Sequence, residues 1–152
     1  MVSENVTADE TVELVVDVPP NEWLNQNSLP RHPMALSTRV KALRRRARFL
    51  ALSARLPRFT GRVRVDYHVA TRTRTRFDPA NAYPTVKALV DGLTDAGVWV
   101  DDDDQHLQGP FPHRDPVDAS QSPGWHRVRL TVSGPTGPAT SKSSRTETEE
   151  DR

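Results

Sequence analysis

Several absences bound what this chain can be. It has no cysteine, which excludes a disulfide framework, a Cys-ligated zinc site and a thiol nucleophile, and accords with a reducing compartment. Apolar residues make up 35% of its 152 residues. No run approaches the roughly 20 apolar residues that span a bilayer, so no membrane is expected as partner. The amino-terminal MVSENVTADETVE is polar and acidic and lacks the apolar core of a secretory signal. A soluble, intracellular protein of at most one domain with extensions is expected. A glycine-rich phosphate loop, a G-x-S-x-G elbow and a dinucleotide fingerprint are all missing, so no nucleotide cofactor is expected. The five histidines (His32, His68, His106, His113 and His126) show neither H-x-x-x-H nor H-E-x-x-H spacing, which argues against zinc.

Charge is abundant but segregated. The formal net charge is only +1, yet Arg31–Arg76 carries 14 basic residues against the single acid Asp66, a block charge of +13. Phe77–Asp118 carries nine acids against Lys87 and Arg114, a block charge of −7. A basic half can hold a phosphate backbone while an acidic half holds cations that offset phosphate charge. The plainer explanation is two solvated faces that attract each other.

Patterning predicts three strands and two helices. Residues 1–10 read as disordered. Thr11–Val18 is valine-rich and reads as a strand ended by Pro19-Pro20. Residues 21–36 read as a loop. Ser37-Thr38 offers a helix cap, and Val40, Leu43, Ala47, Leu50 and Ala54 then recur at helical spacing until Pro57. The other face of that helix carries Lys41, Arg44, Arg45, Arg48 and Arg55. Gly61–Thr71 alternates as a strand, with Val63, Val65, Tyr67 and Val69 on one face. The basic run Arg72–Phe77 leads to a second helix over about Pro84–Ala96, buried through Val86, Leu89, Val90 and Leu93. Asn81 is expected as its cap and Gly97 as its C′ residue. Residues 105–124, rich in proline and glycine, read as a loop. Trp125–Val132 reads as the last strand, and the tail 133–152 as disordered. The fold class is α+β, a small mixed sheet of three to four strands packed by two amphipathic helices; dimerisation would help bury so small a core.

The candidate chemistry lies in 78–104. Lys87 and Asp91 stand four apart on the exposed helix face, the spacing of an ordinary ion pair worth a few tenths of a kcal/mol. Lys87, one turn into the helix, is also placed to neutralise a phosphate or a leaving oxygen. Asp101–Asp104 form an acidic run. It lacks the alternate ligands, central glycine and terminal glutamate of an EF-hand, but hard oxygens on a loop suit Mg²⁺ or Mn²⁺. His106, just beyond the run, is a candidate general base.

Residues 77–104, FDPANAYPTVKALVDGLTDAGVWVDDDD, together with the earlier Val18-Pro19-Pro20 followed by Asn25 and Asn27, carry a resemblance. The chain resembles the RusA-type Holliday junction resolvases, endonucleases common in phages and prophages, over roughly Val15–Val132. That family shows a basic run, D-x-D-N, a helix with a lysine, and a D-A-L-x-x-A-G-V-x-x-D-D ending. The resemblance implies a RusA-like domain over residues 11–132 of a homodimeric, Mg²⁺- or Mn²⁺-dependent enzyme that nicks branched DNA in recombination and repair. It implies the cytoplasm of a bacterial or phage-infected cell. Asp78, Lys87 and Asp102 would be catalytic. Asp78, Asp102 and Asp101 would hold the metal. Arg44, Arg45, Arg48, Arg72, Arg74 and Arg76 would hold DNA phosphates. The second aspartate of D-x-D-N is Ala80 here, and alanine cannot ligate a metal. Two outcomes stay open: Asp101 or Asp103 completes the metal shell, or the protein binds junction DNA without cutting it. A third reading, from the charge blocks alone, is an interaction protein that self-assembles through them.

Overall fold

The computed structural model describes residues 9–137. The elements run β1 (Asp9–Val18), α1 (Pro33–Ser53), β2 (Val63–Ala70), a short 3-10 helix (Pro79–Ala82) leading directly into α2 (Tyr83–Asp95), β3 (Leu107–Arg114) and β4 (His126–Pro135). The four strands form one sheet in the order β1-β4-β2-β3. β4 pairs antiparallel with β1 and β2, while β3 lies parallel to β2 at the edge. The fold is α+β with a mixed sheet, as the patterning predicts.

Alternation sets the buried face of the sheet. Leu14, Val16 and Val18 of β1, Val63, Val65, Tyr67 and Val69 of β2, and Val128, Leu130 and Val132 of β4 all point to one side and are buried. Leu43, Ala47 and Ala51 of α1 join them in one core with Val86, Leu89, Val90 and Leu93 of α2. Each such large side chain contributes about 1.5–3 kcal/mol through burial. The other face of the sheet neutralises itself. Arg127 bonds Asp17 and Asp118 at 2.7 and 2.8 Å, Arg129 bonds Glu13 and Asp115 at 2.8 and 2.9 Å, and Arg64 bonds Asp66 at 2.9 Å.

Four expectations need correction. First, the loop predicted over 105–124 contains β3. Gly109, Pro110 and Pro112 obscured it, yet an edge strand tolerates residues that cannot donate to a second ladder. β3 bulges at Gly109-Pro110, opposite Val65, where the register slips between Arg64 and Asp66. Second, α1 begins at Pro33 rather than at Ser37-Thr38. The His32 imidazole accepts from the Met34 N–H at 3.1 Å, and proline at the first helical position gives up no needed donor. Thr38 instead bonds back to the Met34 carbonyl from within the helix. Third, Asn81 is not the cap. The chain enters α2 through the 3-10 helix, so the orphan N–H of that turn, from Ala80, is met by the Asp78 carboxylate at 3.0 Å. Fourth, the segments expected to be disordered, 1–10 and 133–152, reach into the sheet. The β1–β4 ladder runs from Asp9 opposite Pro135 to Val18 opposite His126, and regular backbone pairing recruits polar residues at its end. Residues 1–8 and 138–152 lie outside the described residues.

Candidate active site and basic arm

The C-terminus of α2 decides where the aspartate run falls. Gly97 adopts φ +82°, as expected of a C′ residue. The Gly97 N–H donates to the Thr94 carbonyl and the Val98 N–H to the Leu93 carbonyl, at 3.0 and 3.1 Å, the paired bonds of a Schellman motif. Val98 and Trp99 then turn into the core. The indole N–H of Trp99 donates to Thr94 Oγ1 at 2.7 Å, which pins the departing chain to the last turn of α2. Val100 faces solvent, and the aspartates start back along the exposed side of the helix.

That return brings Asp102 to Lys87. Lys87 Nζ donates to Asp91 Oδ1 at 2.7 Å and to Asp102 Oδ2 at 2.9 Å. One ammonium thus joins a carboxylate of the helix to one of the loop. Burial pulls the Lys87 pKa down, but the bonds and charges of Asp91 and Asp102 outweigh it, and the value is pushed up to about 12. Lys87 is a fixed cation near neutral pH. The two acids diverge. Asp102 is held below the usual carboxylate range, chiefly by its bond from Lys87. Burial, followed by the neighbouring Asp102, raises Asp91 despite the same lysine. Two close carboxylates sharing one lysine form a net anionic pair, a setting that a divalent cation relieves.

The other expected ligands are engaged elsewhere. Asp78 is exposed and caps the 3-10 helix; its charge is felt at Tyr67, whose hydroxyl donates to the Pro79 carbonyl at 3.0 Å. Asp101 Oδ1 accepts from the N–H of Asp102 at 2.7 Å. Asp103 pairs with His106 at 2.6 Å, so His106 is turned to the loop's own acid. Among the described residues no group of three or more His, Asp or Glu side chains is arranged around a single cation position. Asp91 and Asp102 remain the pair joined at Lys87, and Mg²⁺ commonly takes only one or two protein carboxylates with water and phosphate oxygens. The donor chemistry fits. The i,i+4 spacing of Asp91 from Lys87 is legible in the sequence, whereas the approach of Asp102 depends on the fold.

The basic residues divide. Arg44 makes a two-pronged bond to Asp95 at 3.0 and 2.8 Å, holding that carboxyl below its usual range and tying α1 to the end of α2. Its guanidinium is therefore shared with an acid of α2. Arg45 and Arg48 are exposed and form no ion pair among the described residues; with Lys41 they border a shallow groove of about 240 Å³. Arg72, Arg74 and Arg76 lie on an exposed arm between β2 and the 3-10 helix. Arg114, at the end of β3, staples the arm at both ends, donating to Thr71 Oγ1 at 3.0 Å and to the Phe77 carbonyl at 3.2 Å. Thr71 Oγ1 in turn donates to the Thr73 carbonyl at 2.8 Å. The alternating Arg-Thr sequence is thus held out as a cationic ridge that runs into Asp78. No helix of the described residues is long and apolar enough to cross a membrane.

No protein-family model matches the chain, and no curated protein matches it.

Proposed function

We propose that this chain is a RusA-type, metal-dependent endodeoxyribonuclease that cuts branched DNA as a homodimer, with Lys87, Asp91 and Asp102 at its centre. The observation that carries the reading is the convergence of one lysine with two carboxylates, at 2.7 and 2.9 Å. Asp91 and Asp102 would hold Mg²⁺ or Mn²⁺, which lowers the pKa of water and offsets charge on a phosphodiester when bound. Lys87 stays protonated and serves as a cation, not as a base. Its ammonium, released from one carboxylate, stabilises charge building on the scissile phosphate or on the leaving oxygen. Asp91 supplies the carboxylate that Ala80 cannot. Arg45, Arg48, Arg72, Arg74 and Arg76 grip backbone phosphates without reading sequence. Asp78 fixes the turn between the arm and α2.

A second reading is favoured by one observation. Asp78 is spent on the Ala80 N–H, and Ala80 is apolar, so a relative that binds junctions without cutting them would look the same at this turn. The test is a synthetic four-way junction incubated with Mg²⁺ or Mn²⁺ and either wild type or Asp102→Asn. The proposal expects paired nicks from wild type and a loss of about 100-fold or more in the variant. A junction that wild type binds but leaves intact overturns the nuclease reading. Cleavage gained by Ala80→Asp would then identify the non-cutting relative.

A further inference from the structure

The basic arm borders a cleft that the phosphate-gripping role does not use. It has a volume of about 240 Å³ and lies between the arm and the turn leading into β4, with Arg72, Thr73, Thr75, Phe77, Trp125 and His126 on its walls. Three of its nine lining residues carry aromatic or imidazole rings, in a chain with only nine Phe, Trp and Tyr residues. The rings are held in place. His126 stacks on Trp23 with centroids 3.8 Å apart and planes 5° from parallel. Phe77 sits 6.3 Å from both, tilted by 45° and 40°. The Arg114 guanidinium lies 5.7 Å from the Phe77 ring centre while bonding the Phe77 carbonyl. Burial lowers the pKa of His126, so its ring is neutral near pH 7 and behaves as a flat stacking surface. Trp125 is half-buried and lines the cleft.

We propose that this cleft receives a single unpaired nucleobase, stacked against Phe77 and Trp125, while Arg72, Arg74 and Arg76 hold the phosphates on either side. Flat apolar walls, threonine side chains at the rim and flanking cations are what a splayed-out base on a polyanionic strand requires. Aromatic stacking is tolerant of base identity because every base has a π-face. Arg72 is oriented by its Nε bond to the Gln121 carbonyl at 3.1 Å, and its Nη groups make no protein hydrogen bond among the described residues. A base paired and stacked inside an intact helix is not free to enter the cleft, so the site selects strands with unpaired positions. The inference goes beyond the nuclease reading and requires none of its chemistry.

The test is fluorescence anisotropy with the full chain in EDTA at fixed salt, comparing a labelled twelve-nucleotide oligo-dT with an abasic strand of the same length. One stacked base is worth about 1–3 kcal/mol, which converts to a preference of about 5- to 150-fold for oligo-dT. Phe77→Ala and Trp125→Ala should each bring oligo-dT towards the abasic affinity, whereas Trp125→Phe should keep the preference. Arg74→Gln should weaken both strands alike. Equal binding of the two strands by wild type, binding of neither, or a preference that survives both alanine variants overturns the proposal. The EDTA separates this result from cleavage: a base preference without junction cleavage removes the nuclease reading alone, and cleavage without a base preference removes this one alone.

Discussion

Thr85 offers a sharp test of how the site is held. It lies at the start of α2, two residues before Lys87, and is fully buried. Its Oγ1 accepts from the Leu24 N–H and donates to the Leu24 carbonyl, both at 2.8 Å. One hydroxyl therefore satisfies both backbone groups of a buried residue in the 19–32 loop. Thr85→Val keeps the shape and removes both bonds. Each of the two stranded backbone groups costs about 1–3 kcal/mol, partly offset by the extra apolar methyl at about 1 kcal/mol, so a net loss of about 1–5 kcal/mol is expected. For a domain of this size that lowers Tm by roughly 10 °C. Thr85→Ser keeps both bonds and loses one buried methyl, about 1 kcal/mol. Thermal unfolding followed by circular dichroism should rank wild type above Thr85→Ser above Thr85→Val. A valine variant as stable as wild type, or more stable than the serine variant, would refute the reasoning.

Three further outcomes are expected. Gly92→Ala should lower Tm although alanine favours helix by about 1 kcal/mol, because its Cβ would meet the Arg44 carbonyl, with Ala47 Cβ only 2.8 Å away, an overpacking cost of about 1–3 kcal/mol; a higher Tm would show that the two helices can part freely. Arg55 closes α1 at φ +54°, a strain of about 1–2 kcal/mol for a non-glycine residue, so Arg55→Gly should raise Tm by a few degrees and an unchanged Tm counts against it. Asp102 is lowered from its ordinary 3.8, so its stabilisation is present above that pH and fades as pH falls through the folded-state value. Urea unfolding should therefore show Asp102→Asn less stable than wild type at pH 7, with the gap closing below about pH 4; a gap constant with pH contradicts the Lys87 pairing.

How far the sequence could be read follows from the range of each signal. The stripes Val86-Leu89-Val90-Leu93 and Val63-Val65-Tyr67-Val69 are local, and all eight residues are buried as their spacing implies. Gly97 was equally legible, because a positive φ after a helix is a local demand. β3 was hidden because its residues are poor strand formers, held by pairing to β2 alone. The cap shifted from Asn81 to Asp78 because an unforeseen 3-10 turn precedes α2. The Lys87–Asp91–Asp102 cluster needed more than spacing: the i,i+4 pair is written in the helix, but Asp102 arrives only through the Schellman turn and the Trp99–Thr94 anchor. Arg44 looked like its neighbours Arg45 and Arg48, and only the crossing of α1 with α2 puts Asp95 against it.

The central claim is that Lys87, Asp91 and Asp102 form one catalytic centre for branched DNA. The most direct measurement is the single-turnover cleavage rate of a four-way junction in Mg²⁺ by wild type and Asp91→Asn, at equal junction binding. The account predicts cleavage by wild type and a loss of about 100-fold or more in the variant. Equal rates would reduce Asp91 to a helix ion pair and contradict the account.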